Sequence, residues 1–182
     1  MSSPETPNAP AAAGKAYIAR DVSEILRQQG WLLGDATPVQ LAWCERAAAL
    51  LGPQVSQRGS LADLLHLVFH YDAREILSKV ENHAVLSRYA ARDVLRHLAL
   101  LLLEGAPLTT DRFKEVVNTL KDNLGIRSRE LFHPIRLALA GRAGEGELDR
   151  VILLLDEAAG LSFNVQVKSA RERILEFCAA LD

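Results

Sequence analysis

An all-α protein built as two small helical-bundle subdomains is what this sequence predicts, and three observations carry the prediction. From Tyr17 onward nearly every segment places its apolar residues at helical rather than strand spacing. Only Phe163 to Val167, FNVQV, alternates like a strand, and a single strand has no partner for its backbone groups. Aromatic residues make up only 5% of the 182, while Leu and Ala dominate, the composition that interhelical packing favours. Residues 1–14, with Pro4, Pro7 and Pro10 among Ser, Ala and Gly, read as a flexible tail. Residues 15–105 and 106–182 form the two subdomains, divided at Gly105-Ala106-Pro107.

The elements follow in order. Ile18, Val22, Ile25 and Leu26 form one stripe on a first helix that Gly30 ends. Thr37 then caps a second, with Pro38 at the first helical position, where a missing N–H costs nothing. This helix carries Leu41, Ala42, Ala48 and Leu51 and stops at Gly52-Pro53. Ser60 can cap a third helix, with Leu61, Leu64, Leu65 and Val68 on its apolar face. A short helical piece over Ala73 to Val80 precedes a longer helix through Leu86, Tyr89, Leu95, Leu98 and Leu102. Thr110 opens the next, through Phe113, Val116, Val117 and Leu120, closed near Gly125. Pro134 falls in the first turn of another that reaches Leu139, and Glu147 to Ala159 and Ala170 to Leu181 complete the set.

Composition excludes several classes. The apolar fraction of 49% is that of a globular chain, not a disordered one. The longest apolar run, Leu98 to Leu103, is far short of the roughly 20 residues that span a bilayer. The first 14 residues have neither the basic start nor the leucine-rich core of a signal peptide. Cys44 and Cys178 are too few for a disulfide framework, so a reducing, cytoplasmic setting is expected. With 21 Lys+Arg against 23 Asp+Glu the net charge is -2, and any nucleic-acid binding must rest on a local patch.

Candidate chemistry is sparse. His66 and His70 have the i, i+4 spacing of two metal ligands, but Leu67, Val68 and Phe69 lie between them and no third ligand has suitable spacing, although Asp63 lies about one turn upstream. They read as helix-surface histidines. Cys44 and Cys178 sit inside amphipathic helices and behave as small buried hydrophobes. Gly141, Gly144 and Gly146 precede a helix without the Lys-Ser/Thr pair of a phosphate loop. No catalytic residue, metal ligand, cofactor or small-molecule substrate is expected. Charge, however, is uneven. Arg112, Lys114, Lys121, Arg127, Arg129, Arg136 and Arg142 face only Glu115, Asp122 and Glu130, a solvated helix face or a surface for RNA.

Leu131 to Gly141, LFHPIRLALAG, resembles the "L-F-x-P-L-R-x-A-L-T-G" signature in the C-terminal anticodon-binding region of bacterial glutamyl-tRNA synthetases. The flanking FKEVVNTLKDNLGIRSRELF and GELDRVILLLDEA are similar to the helices around that signature. KAYIARDV and Leu51 to Asp72 resemble the family's anticodon-stem subdomain, so the likeness runs from about Lys15 to the end. The synthetase's ATP-handling motifs have no counterpart, and Leu77-Ser78-Lys79-Val80 lacks their context.

The resemblance implies a non-catalytic protein that docks a tRNA anticodon stem-loop, standing alone or as part of something larger. Arg136 would contact anticodon bases, Pro134 would fix its turn, and Leu148 would pack beside a base. Arg127, Arg129 and Arg142 would support on phosphates. Gln54 stands where the family often has Arg and could still pair with a base edge, while Ala140 replaces a Thr. Extra residues between Leu155 and Arg171 would reshape the surface nearby. The alternative is an inherited helical scaffold that has lost RNA binding and engages a protein partner, for which an exposed apolar patch at Leu161, Phe163 and Val165 would speak.

Overall fold

The computed structural model describes residues 16–182, so the expected tail, residues 1–14, lies outside the described residues. Every regular element among them is helical: α1 (Ala19–Gln28), α2 (Pro38–Leu51), a 3-10 turn (Gly52–Gln54), α3 (Arg58–Phe69), α4 (Ala73–Ser78), α5 (Val80–Leu86), α6 (Ala91–Leu102), α7 (Thr110–Leu124), α8 (Ser128–Ala140), α9 (Gly146–Ile152), α10 (Leu155–Ala159) and α11 (Ala170–Leu181). None is long and apolar enough to cross a membrane. The FNVQV segment forms no strand. The Asn164 N–H and side-chain amide instead donate to the carbonyls of Trp31 and Gly30 at 2.8 Å each.

Helix starts follow local chemistry. The Thr37 hydroxyl accepts the Gln40 N–H while the Gln40 side chain accepts the Thr37 N–H, a reciprocal capping box in front of Pro38. Thr109 and Ser169 cap α7 and α11 in the same way as Thr37, through the N–H three residues on. α7 ends at Gly125, whose φ of +65° is the left-handed conformation glycine adopts without strain.

Tertiary contacts moved several expected boundaries and faces. Ile18 is the residue before α1 and is 59% exposed, because the buried stripe begins at Val22. On α2 the core takes Trp43, Cys44, Ala47, Ala48 and Leu51, leaving Leu41 and Ala42 outside. Wholly buried Trp43 sets that choice, with its ring edge-on to Phe69 at 5.6 Å. α3 starts two residues before Ser60, where Arg58 reaches back to Asp21 at 3.4 Å and Glu24 at 3.1 Å on α1.

The long helix expected through Leu86 and Tyr89 is two, α5 and α6. At about 100° per residue, a continuous helix would turn Val85 about 180° away from Val94, and both are buried. Ala90, at φ +71°, makes the corner, and Tyr89 is left 97% exposed. The helix expected over Glu147 to Ala159 also breaks. Its Leu154 N–H turns back to the Val151 carbonyl, and the Leu154 carbonyl accepts the Trp43 indole N–H at 3.1 Å. Pro134 lies inside α8 rather than in its first turn, since α8 begins at Ser128. The carbonyl that loses its partner belongs to exposed Glu130, where water can take over.

α8 is the central helix. Leu131 and Pro134 through Ala140 are all buried, in contact with α5, α6, α9 and α11. Its last carbonyls meet α11. The Tyr71 hydroxyl donates to the Ala138 carbonyl at 2.5 Å, and wholly buried Arg173 donates to Leu139 at 3.0 Å, Leu67 at 2.8 Å, Val68 at 2.6 Å and Lys168 at 2.9 Å. Arg173→Met removes the donor to three helix-terminal carbonyls in a dry setting and is expected to cost about 3–5 kcal/mol. Tyr71→Phe should cost about 1–2 kcal/mol. Urea denaturation midpoints check both, and an Arg173→Met protein as stable as the parent would contradict a structural role for the guanidinium.

Candidate nucleic-acid interface

The turn between α8 and α9 is held from within by Arg136. Its Nε and Nη2 donate to the two carboxylate oxygens of Asp149 at 2.8 and 2.9 Å, and Nη1 donates to the Gly144 carbonyl at 3.0 Å. The face of the guanidinium lies 4.7 Å from the Phe132 ring centroid, and Lys121 stands 5.8 Å from the same ring. A fork-on-fork ion pair of this kind fixes orientation as well as distance. Arg136 is consequently only 7% exposed, and Leu148 is wholly buried, so neither presents an open surface. Gly144 lies where the turn crosses Leu148, and a Cβ there would stand 2.7 Å from Leu148 Cδ1 and force that buried side chain to shift.

The electrostatic centre is His133, half-buried on the outer edge of α8. Arg88, from the α5–α6 corner, donates to its Nδ1 at 3.0 Å, which makes that nitrogen the unprotonated one. Burial, and then the Arg88, Arg136 and Arg129 cations, hold the imidazole pKa below its ordinary value, with Glu145 opposing. Glu145 faces Arg129 at 3.4 Å and Arg136 at 3.9 Å. A cleft of about 460 Å³ opens beside this group, lined by Arg88, His133, Arg142 and Lys79, by Asp72, Glu75 and Glu81, and by the exposed His66 and His70.

Arg129 and largely buried Arg136 thus act on His133, exposed Arg142 lines the same cleft, and exposed Arg127 lies at the start of α8. Gln54 is exposed at the end of the 3-10 turn and takes no part in the bonds that join α8 to α9. His66 and His70 stack at 5.1 Å between ring centroids, and His70 reaches Glu75 at 3.0 Å. No group of three metal-ligating side chains forms among the described residues. The Cys44 thiol is pushed up to about 11 by burial, the state of an inert core cysteine. Of the expected apolar patch only Val165 is exposed; Leu161 and Phe163 both pack on the core, and the Phe163 ring sits edge-on to Trp43 and Phe69. The segment between α10 and α11 is bonded to Gly30, Trp31 and Gln40.

Sequence reasoning missed Asp149, Phe132, Arg88 and His133. The first two lie within the quoted helices, where the Arg at position 136 and an acid 13 residues on gave no periodic signal. Arg88 is 45 residues from His133, and only folding brings them together.

The profile of the family described as "Anticodon binding domain" matches residues 18–159. Among curated proteins the chain is similar to the "Glutamate--tRNA ligase 2" of Syntrophus aciditrophicus, at 29% identity over 123 residues, 68% of this chain and 25% of that protein. It is similar to the "Glutamate--tRNA ligase" of Geobacillus thermodenitrificans at 29% over 130 residues, 71% of this chain and 26% of that protein. The Bacillus subtilis "Glutamate--tRNA ligase" is 26% identical over 136 residues, 75% of this chain and 28% of that protein. The chain spans about a quarter of the length of the curated relatives it matches. No solved structure matches it.

Two outcomes follow from this geometry. Asp149→Ala strands the Arg136 cation in a largely buried place and should cost about 3 kcal/mol, with faster amide exchange in the 141–145 turn. His133 and His66 are both held below the ordinary 6.5, so the unfolded chain takes up their protons first. Their contribution to stability is whole above about pH 6.5 and is lost as pH falls through the folded values. Urea midpoints followed between pH 7.5 and 5 should fall, and His133→Gln should flatten part of that fall.

Proposed function

The chain belongs to the anticodon-binding domain family, and from that premise we propose that it docks the anticodon stem-loop of a transfer RNA without catalysing a reaction itself. One observation supports the reading above others: in a chain of net charge -2, Arg88, Arg129 and Arg136 surround His133 against Glu145 and Asp149, and exposed Arg142 lines the same cleft. Local concentration of guanidinium groups is what a phosphate backbone selects, whatever the net charge elsewhere. The likeness to glutamate–tRNA ligases supports the choice of tRNA, and a cytoplasmic setting goes with it.

In this reading phosphate contacts set the register and a few groups meet unstacked bases. Exposed Arg127, Arg129 and Arg142 take the phosphates. Arg136 is a positioning residue, holding the 141–145 turn and the Phe132 face, and buried Leu148 supports that turn from below. Glu145 is the group that must yield as RNA approaches, because it occupies Arg129 and touches Arg136. The exposed amide of Gln54 is free to pair with a base edge.

The test is a titration with a glutamate-accepting tRNA and an unrelated tRNA at two salt concentrations. Binding should weaken steeply with salt, and Arg129→Ala and Arg142→Ala should each reduce the salt slope by about 1 while weakening binding to all sequences similarly. Arg136→Ala should weaken binding by about 1–3 kcal/mol if the turn it holds meets a base. Its urea midpoint must be measured alongside. Undetectable binding at low salt would overturn the reading and direct the search to a protein partner.

A further inference from the structure

Tyr89 stands almost wholly in water, 97% exposed, at the corner between α5 and α6. Folding gives no reason for a large aromatic ring there, since it covers nothing among the described residues. The corner is also strained: Ala90 holds a φ of +71°, a left-handed conformation that a residue with a Cβ adopts at a cost. It is nonetheless fixed in place. The Ala91 N–H closes onto the Arg88 carbonyl at 3.2 Å, and the Arg88 side chain is pinned to His133 on α8 at 3.0 Å. Backbone strain in a segment held this firmly is a mark of a position that serves something other than stability.

The surroundings are cationic. Arg92 and Arg96 follow on the exposed face of α6, one turn apart, where like charges repel each other. No carboxylate lies within salt-bridge distance of Arg88, Arg92 or Arg96 among the described residues, and Asp93 is the one acid between Ser87 and His97. Through Arg88 and His133 the corner is continuous with the surface that carries Arg129 and Arg142. An exposed aromatic ring on a firmly held corner, with guanidinium groups free of carboxylates on the same face of the chain, fits an unstacked nucleobase flanked by phosphates.

We propose that Tyr89 is a base-stacking residue of the RNA interface, with Arg92 and Arg96 carrying the adjoining phosphates. The inference rests on the tRNA-docking reading above and extends that surface from α8 to the α5–α6 corner. Stacking uses the ring and not the hydroxyl, and it releases no counterions.

The experiment measures the affinity of the full chain and its Tyr89→Ala, Tyr89→Phe, Tyr89→Trp and Arg92→Ala/Arg96→Ala variants for a tRNA anticodon stem-loop across a salt series. Tyr89→Ala should bind about 5- to 100-fold more weakly with an unchanged salt slope, while Tyr89→Phe and Tyr89→Trp stay within about twofold of the parent. The double arginine variant should lower the slope by about 2. In the Tyr89→Trp variant, emission of the introduced indole should be quenched by the RNA and shielded from acrylamide, whereas Trp31 and Trp43 are buried already. Equal urea midpoints establish that each variant folds. If the parent chain binds no RNA, the docking reading falls and this proposal falls with it. If the parent binds and Tyr89→Ala binds equally well, the proposal alone falls. Tyr89→Phe as weak as Tyr89→Ala would exclude stacking, and loss of self-association with RNA affinity intact would make Tyr89 a protein contact instead.

Discussion

The fold depends on a buried cation with no carboxylate among its hydrogen-bond partners. Arg173 sits on α11 with its guanidinium wholly enclosed, and what it meets instead of an acid is the carbonyl ends of two helices. The last carbonyls of a helix have no partner within it and carry the negative end of its dipole. In α3 the orphans of Leu67 and Val68 go to Arg173, and the Gly141 N–H, Tyr71 hydroxyl and Arg173 serve Leu137, Ala138 and Leu139 of α8. The Tyr71 ring lies 4.7 Å beneath the guanidinium and completes the enclosure. Burial lowers the Arg173 pKa to about 10, so it remains charged at neutral pH. One side chain near the C-terminus thereby fixes where α3 and α8 end, on either side of Gly105–Pro107.

The second buried arginine works differently, and the contrast explains why one is scaffold and the other borders a surface. Arg136 is paired with a carboxylate that is partly open to solvent, and it orders a turn rather than a helix end. Its neighbour Phe132 is only half-buried, and His133 on the next position faces outward to Arg88. α8 consequently has a dry side that the core uses and a wet side on which cations gather. A helix this deeply packed cannot shift its outer groups without disturbing the core, so the arginines around His133 are presented on a stiff support.

Much of the fold was legible in residue spacing. Val22, Ile25 and Leu26, the face of Leu61, Leu64, Leu65 and Val68, and the limits of α11 all follow from period and caps, because those signals act within a turn or two. The departures share one cause. Periodicity alone points Tyr89 and Leu41 inward, yet Val85 and Val94 demanded different faces and Trp43 outranked Leu41 for the interior. Of the candidate site, the motif singled out Arg136, and the uneven charge along the chain singled out Arg129 and Arg142. Neither could show that Arg136 is tied to Asp149, nor that Leu148 lies beneath the turn, since both depend on how α9 folds back over α8.

The sequence by itself determined an all-α chain, its family likeness and the neighbourhood of its basic residues. These are properties of composition, period and local motif, and no distant residue can alter them. Only the tertiary structure decided which arginines are buried and which are free, and that His133 would gather Arg88 from 45 residues away. The physical reason is that a guanidinium's role is set by the partner it meets in space. An isolated charge in the sequence carries no record of whether that partner is a helix end, a carboxylate or water.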